Sequence, residues 1–257
     1  MKIIKSGENQ QFKMANKLTT RKYRDSFGKY LVEGEKFVKD AFAAGQDVEC
    51  VFFVEGYDQI QEFPSDKLIC LDKKLFVRLS QTETSQGIIA VVRKKEMNIR
   101  LFSEEIKKQS GNIVVLDRLQ DPGNIGTIIR TADAAGYRGI ITLQGTGDVY
   151  SPKVVRSAAG SIFRVPILGF SNWQEAIDLL KSENKTIITT AFNTENYYYN
   201  VDMKKDIALI IGNEGQGVSE ELTEAADIKV KIPMEGTIDS LNAAVAAGVI
   251  MYESVRK

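Results

Sequence analysis

The sequence predicts an α/β protein in two parts, a small N-terminal α/β unit and a larger C-terminal domain built on a parallel sheet. Two textures in the 257-residue chain carry this reading. From Asn112 onward, short and almost continuously apolar runs alternate with helical stretches, the pattern of a parallel sheet covered on both faces. Before about residue 95 the β-rich runs are fewer and mixed with charged helices. The expected division is 1–95, a charged linker with a short helix over 96–111, and 112–257.

In the N-terminal part, "QFKMANKL" reads as a short helix. "KYLVEGEKFVKDAFAAG" begins as a strand and turns helical, with a stop at Gly45. "VECVFFVE" and "QGIIAVVRKK" are β-rich. In the C-terminal part, the candidate strands are "NIVVLDRL", "GIITLQG", "RVPILGF", "KTIITTAF", "DIALIIGNEG" and "IKVKIPM". Helical patterns lie between most of them: "TIIRTADAAG", "SPKVVRSAAG", "NWQEAIDLLKSEN" and "SEELTEAA". The final stretch, "DSLNAAVAAGVIMYESVRK", has the Ala-rich face of a closely packed helix.

Composition narrows the chemistry. The chain has no histidine, which excludes Ser-His-Asp and Cys-His catalysis and histidine-ligated metals. Its two cysteines, Cys50 and Cys70, sit in apolar runs and read as core. No metal site is expected. No apolar stretch is long enough to span a bilayer, and "MKIIKSGENQ" lacks a signal-peptide core, so a cytoplasmic protein is expected. Net charge is zero, yet residues 1–30 hold eight basic residues, Lys2, Lys5, Lys13, Lys17, Arg21, Lys22, Arg24 and Lys29, against Glu8 and Asp25. That arm is either a phosphate-backbone footprint or a solvated helix face.

Three strand-loop-helix junctions share one character: "DPGNIGTIIR", "IIGNEGQGVSEE" and "IPMEGTIDSLNAA". Loops after parallel strands gather at the carboxyl edge of a sheet, where ligands bind. Gly123 and Gly126 fit neither the dinucleotide fingerprint nor the P-loop. The polar residues are Asn124 and Arg130 from the first junction, Asn213 and Glu214 from the second, Ser240 and Asn242 from the third. Simple roles are open to most of them. Asp121 or Asn124, Ser219 and Ser240 are all fit to cap helices. Arg130 is not explained that way, because it lies in an otherwise apolar, Ala-rich helical run. A guanidinium there suits a phosphate or a developing oxyanion.

Together "NIGTIIRTADAAG", "SAAGSIFRVP", "IIGNEGQGVS" and "KIPMEGTIDSLNAAVAAG" resemble the SpoU (TrmH-like) family of RNA ribose 2′-O-methyltransferases in the knotted SPOUT superfamily. The first, third and fourth look like that family's three motifs, in order and spacing. "YLVEGEKFVKDAF" is similar to its ribosomal-protein-like substrate-binding domain. The resemblance implies a deep trefoil knot near the C-terminus, S-adenosylmethionine as cofactor and a homodimer. Gly212, Ile232 and Leu241 would contact the cofactor, with Met234 and Ser240 beside them. It also implies a catalytic set of Arg130, Asn124, Glu214, Ser240 and Asn242. Arg130 is expected to bind the adjacent phosphate and stabilise negative charge on the 2′-oxygen, since arginine stays protonated and is a poor base. Asn124 is expected to hydrogen-bond Arg130 or the ribose, and Glu214 to orient Arg130 as an ion pair. Ser240 and Asn242 are expected to fix the third loop and the substrate. Arg21, Lys22, Arg24 and Lys29 are the candidate RNA-phosphate contacts of the N-terminal domain. The expected substrate is 23S rRNA, with guanosine the favoured base. The alternatives are tRNA, or a non-catalytic RNA-binding protein with a retained cofactor pocket. An oxidoreductase is disfavoured by the missing fingerprint glycines.

Overall fold

The computed structural model describes residues 3–107, 111–191 and 193–256. Lys2 of the basic arm, residues 108–110 of the expected linker, Phe192 of "KTIITTAF" and the terminal Lys257 lie outside them. The chain forms two compact units. The first comprises Met1–Lys95 with Asp148–Phe163, the second Glu96–Gly147 with Arg164–Lys257.

The first unit holds β1 (Ile3–Ile4), α1 (Gln10–Lys17), α2 (Arg21–Phe27), β2 (Lys29–Glu33), α3 (Glu35–Ala43), β3 (Val48–Val54), β4 (Leu68–Leu71), α4 (Lys73–Leu79) and β5 (Ile88–Arg93). Its sheet runs β1-β4-β3-β5-β2, parallel across β1, β4 and β3 and antiparallel on both sides of β5. Strand-to-helix reversal at Gly34 uses a positive φ of 106°, open to glycine without a Cβ penalty. The strand face turned to α1 and α4 buries Leu31, Phe52, Ile89 and Val91 with Phe12 and Leu75. Cys50 and Cys70 are both buried and free, as packing residues.

The second unit begins with α5 (Ile99–Lys107) and continues as β6 (Ile113–Leu116), α6 (Pro122–Ala134) and β7 (Gly139–Leu143). α7 (Pro152–Ser157) follows in sequence but belongs to the first unit. The rest is β8 (Ile167–Phe170), α8 (Trp173–Ser182), β9 (Thr186–Thr190), β10 (Ile207–Ile211), α9 (Glu220–Ala225), β11 (Ile228–Val230) and α10 (Ala243–Glu253). The sheet order is β11-β9-β10-β6-β7-β8, and every pairing is parallel. β6 and β10 are buried along their whole length, as strands covered on both faces must be.

Two features depart from the expected boundaries. Residues 99–107 form the expected short helix, but it is not a linker: Phe102 and Ile106 enter the core with Ile113, Ile141 and Leu168. Asp148–Phe163 leaves the second unit because its partners lie in the first. Asp148 accepts from Arg24 Nε at 2.7 Å, and the Tyr150 ring packs on Tyr30 at 4.8 Å. Such partners are more than a hundred residues away in sequence, beyond the reach of local pattern.

Candidate functional site

The apparent glycine loop after β6 is mostly helix. Asp121 caps α6, its Oδ1 accepting from Asn124 N at 2.9 Å, and Pro122 occupies the first turn. Proline is preorganised for that position and loses no needed donor. Gly123, Asn124 and Gly126 therefore lie within α6, with Asn124 and Gly126 buried.

The junction after β10 folds against this helix start. Asn213 and Gly217 exchange backbone hydrogen bonds at 3.0 and 2.9 Å. Asn213 Oδ1 accepts from Gly215 N and Gln216 N, and its Nδ2 donates to the Arg118 carbonyl at 2.9 Å. Gly212 lies under this turn. A Cβ there would stand 2.2 Å from Gly217 C and Val218 N, so the backbone closes only over glycine.

Glu214 sits at the tip. Its carboxylate accepts from Asp121 N at 2.9 Å, Gln120 N at 3.2 Å and Asn124 Nδ2 at 3.1 Å. Partial burial pushes its pKa up, but the donors from Asp121, Asn124 and Gln120 outweigh this and hold it below the ordinary carboxylate range. A carboxylate at a helix N-terminus also meets the positive end of the helix dipole.

The third junction joins through Asn242. Its Oδ1 caps α10 by accepting from Ala244 N and Val245 N, and its Nδ2 donates to Asn124 Oδ1 at 2.9 Å. Asn242 is thus the cap of the last helix, a role open to Ser240 in the sequence. Ser240 is exposed and makes no hydrogen bond among the described residues. Asn124 spends both ends of its amide, giving to Glu214 and receiving from Asn242. Side-chain hydrogen bonds therefore run Asn242–Asn124–Glu214 across the loops after β11, β6 and β10.

The expected cofactor residues occupy two of these loops. Among the described residues, the backbone of 232–241 makes no hydrogen bond, while Ile232, Met234 and Leu241 are half-buried. Free amides and carbonyls beside apolar side chains suit a nucleoside held mainly through backbone groups. The residues present therefore fit S-adenosylmethionine.

Three expectations need correction. Glu214 does not pair with Arg130, because its oxygens are taken by the start of α6. Asn124 does not bond Arg130 either. Arg130 is exposed on α6 and has no partner among the described residues. It lies six residues beyond Asn124, about 9 Å along the axis and on a different face. Arg24 is not a surface contact: it is 4 % exposed, with Nε on Asp148 and Nη1 on the Leu18 carbonyl at 2.7 Å. Lys29 is half withdrawn, its Nζ 2.5 Å from Glu49 Oε2. Arg21 and Lys22 remain exposed, Arg21 at 3.6 Å from Asp25.

Sequence reading missed Asp117 and Arg118. Buried Asp117 accepts from Ser219 N at 2.8 Å and from Arg118 Nε at 3.1 Å. Arg118, at φ 54°, also reaches Gln216 Oε1 with Nη1 at 3.2 Å. The available signal was a charged pair closing an apolar strand at the carboxyl edge of the sheet.

Residues 111–252 match the family model of the SpoU rRNA Methylase family, and residues 9–90 match an MRM3-like substrate binding domain. The chain is 35 % identical over 257 residues to the 23S rRNA (guanosine(2553)-2′-O)-methyltransferase RlmP of Bacillus subtilis, covering 98 % of each. The AdoMet-bound rRNA methyltransferase of Sinorhizobium meliloti superposes with a TM-score of 0.87 at 31 % identity, covering 98 % of this chain and 97 % of that one. The SpoU methyltransferase AviRb of Streptomyces viridochromogenes, in complex with AdoMet, gives 0.88 at 29 % identity, covering 96 % and 97 %.

Proposed function

The chain belongs to the SpoU rRNA methylase family, and from that premise we propose that it methylates a ribose 2′-hydroxyl of 23S rRNA with S-adenosylmethionine. The observation that carries the reading is the Asn242–Asn124–Glu214 chain, which ties the three motif loops into one arrangement. When bound, the cofactor supplies an electrophilic methyl on a sulfonium. Ile232, Met234 and Leu241, with the backbone around Gly212, would hold it.

The remaining work falls to positioning and charge. In-line attack demands that the hydroxyl be held against the methyl, and such orientation supplies much of the rate. Arg130, unpaired and permanently charged, binds the phosphate next to the target ribose and stabilises the oxygen as it loses its proton. The proton passes to that phosphate or to water. Glu214 and Asn124 are positioning residues, since they hold the start of α6 and the motif loops together. Asn242 fixes the third loop, and the exposed Ser240 is left to hydrogen-bond the substrate.

The same reading includes a homodimer. α10 presents Val245 and Tyr252, each 52 % exposed, beside the α6 that carries Arg130. A second copy on this face would bury the apolar surface and bring Arg130 to an interface. It also includes the trefoil knot, supported by the insertion of β10 between β6 and β9. Arg21 and Lys22 of the first unit supply phosphate contacts. Action on rRNA is in keeping with a cytoplasmic protein, and among the described residues no helix is long and apolar enough to cross a membrane.

The test is transfer of labelled methyl from S-adenosylmethionine to unmodified 23S rRNA, with tRNA transcripts in parallel. Label in alkali-resistant dinucleotides from rRNA is expected, and the guanosine at 2553, named for the Bacillus subtilis relative, is the first position to map. Label in tRNA alone would overturn the substrate. No label, despite tight binding of S-adenosylhomocysteine, would favour a non-catalytic RNA-binding protein.

A further inference from the structure

The loop after β9 carries three consecutive tyrosines, Tyr197, Tyr198 and Tyr199, in "NTENYYYN". A 3-10 turn over Tyr198–Asn200 sets their rings against one another. Tyr197 and Tyr199 are stacked, 5.4 Å between centroids at 10°, and Tyr198 meets Tyr199 edge-on at 5.2 Å. Tyr199 is 40 % exposed, and none of the three hydroxyls makes a hydrogen bond among the described residues. The cluster is therefore not a core contact with its polar ends satisfied. Tyr199 is its exposed ring, while Tyr197 and Tyr198 are half-buried and the turn packs against α10.

The turn is pinned to the third motif loop. Lys231 N donates to the Asn196 carbonyl at 2.9 Å, and Tyr198 N donates to the Lys231 carbonyl at 3.1 Å. The next residue is Ile232, in the segment whose backbone groups are free. Lys231 Nζ lies 5.4 Å from the centroid of the Tyr197 ring. Lys229 precedes it by two residues on β11, the edge strand, and Lys231 extends that strand by a parallel bridge to Tyr197, so both side chains leave on one side. Among the described residues neither ammonium is paired with a carboxylate. Lysines on an edge strand also discourage strand addition, but that role needs no stacked aromatic beside them.

Resting on the methyltransferase reading, we propose that Tyr197 and Tyr199, with Lys231 and Lys229, form a stacking platform for an unpaired base of the RNA flanking the target nucleotide. Every base offers a π-face, so aromatic platforms bind single strands with little sequence preference, and adjacent cations meet the phosphates. Bases of unpaired RNA can be splayed out and stacked on aromatic side chains, and a stacked flanking base would hold the strand in place beside the target ribose. The platform is fixed by backbone hydrogen bonds before RNA arrives, which lowers the ordering cost of binding.

The experiment uses the full chain with Tyr199→Ala, Tyr197→Ala and Tyr199→Trp. It measures affinity for an unmodified 23S rRNA transcript, affinity for S-adenosylhomocysteine and solution mass. Either alanine should weaken transcript binding by about 5- to 150-fold, leaving S-adenosylhomocysteine affinity and mass unchanged. Tyr199→Trp should bind the transcript as the parent does. Normal methyl transfer by the parent with unchanged transcript affinity in both alanine variants would overturn the platform alone. A loss of RNA affinity that accompanies a halved mass would also overturn it, assigning the rings to a second copy. If the parent neither binds nor methylates the transcript, the methyltransferase reading falls and the platform falls with it.

Discussion

Asn242 donates its side-chain amide to Oδ1 of Asn124 at 2.9 Å, joining residues 118 positions apart in sequence. Because Asn124 Nδ2 is committed to Glu214, the orientation of the Asn124 amide is set from both sides. Replacing Asn124 by alanine removes both side-chain hydrogen bonds, but Asn242 and Glu214 are exposed and Glu214 keeps its Asp121 and Gln120 donors, so the stability cost should be only about 0.5–1.5 kcal/mol per bond. Turnover should fall while S-adenosylhomocysteine affinity holds within a few-fold. Isothermal calorimetry beside methyl-transfer kinetics checks this. A parallel loss of both would show that Asn124 holds the cofactor loops rather than the substrate side.

Glu214 gives a pH signature. Its folded pKa is lowered by the donors around it, so the stability it contributes is present above its unfolded value, about 4.3, and is lost as pH falls through the folded value. The stability gap between the parent and Glu214→Gln should stay level from neutral pH to about 5 and close in more acid solution. Urea unfolding of both proteins across that range is the measurement. A gap that widens in acid would contradict the sign.

Arg130 separates chemistry from folding. As an exposed residue without a partner, Arg130→Ala should change stability by no more than about 0.5 kcal/mol. Turnover should drop by about 100- to 1000-fold, the scale of losing one charge-stabilising donor. Arg130→Lys should recover only part of it, because an ammonium cannot reproduce the planar fork. Melting temperature and single-turnover rate decide the matter together.

Arg24 should behave in the opposite way. Arg24→Ala strands Asp148 without its partner, and breaking a buried ion pair costs about 3–5 kcal/mol. Arg21→Ala and Lys22→Ala should barely alter melting. Each is expected to reduce the salt slope of RNA binding by about one.

Gly212→Ala tests the closure of the second loop. The added methyl would stand 2.2 Å from Gly217 C and Val218 N, and backbone there cannot step aside as a side-chain tip does. A loss of about 1–3 kcal/mol or more is expected. Thermal melting with and without S-adenosylhomocysteine reads it.

Much of this protein is written in its local sequence. β6 and β10 are visible as unbroken apolar runs because a strand covered on both faces has no polar side to show. The resemblance carried by "NIGTIIR", "IIGNEGQG" and "DSLNAAVAAG" was enough for the family, and Asn124, Glu214 and Asn242 do meet. Their partners were not legible. By charge alone Glu214 suits Arg130, yet its carboxylate is consumed by the backbone of Gln120 and Asp121, since helix starts offer unsatisfied amides whatever their side chains are. In the sequence Arg24 is one cation of a basic arm, yet in the fold it is buried against Asp148. The stacked tyrosines depend on Lys231 lying beside Asn196 and Tyr198. Local pattern reports which face of an element seeks the core. Which charge meets which amide is decided by contacts between distant segments, and only the tertiary structure brings those segments together.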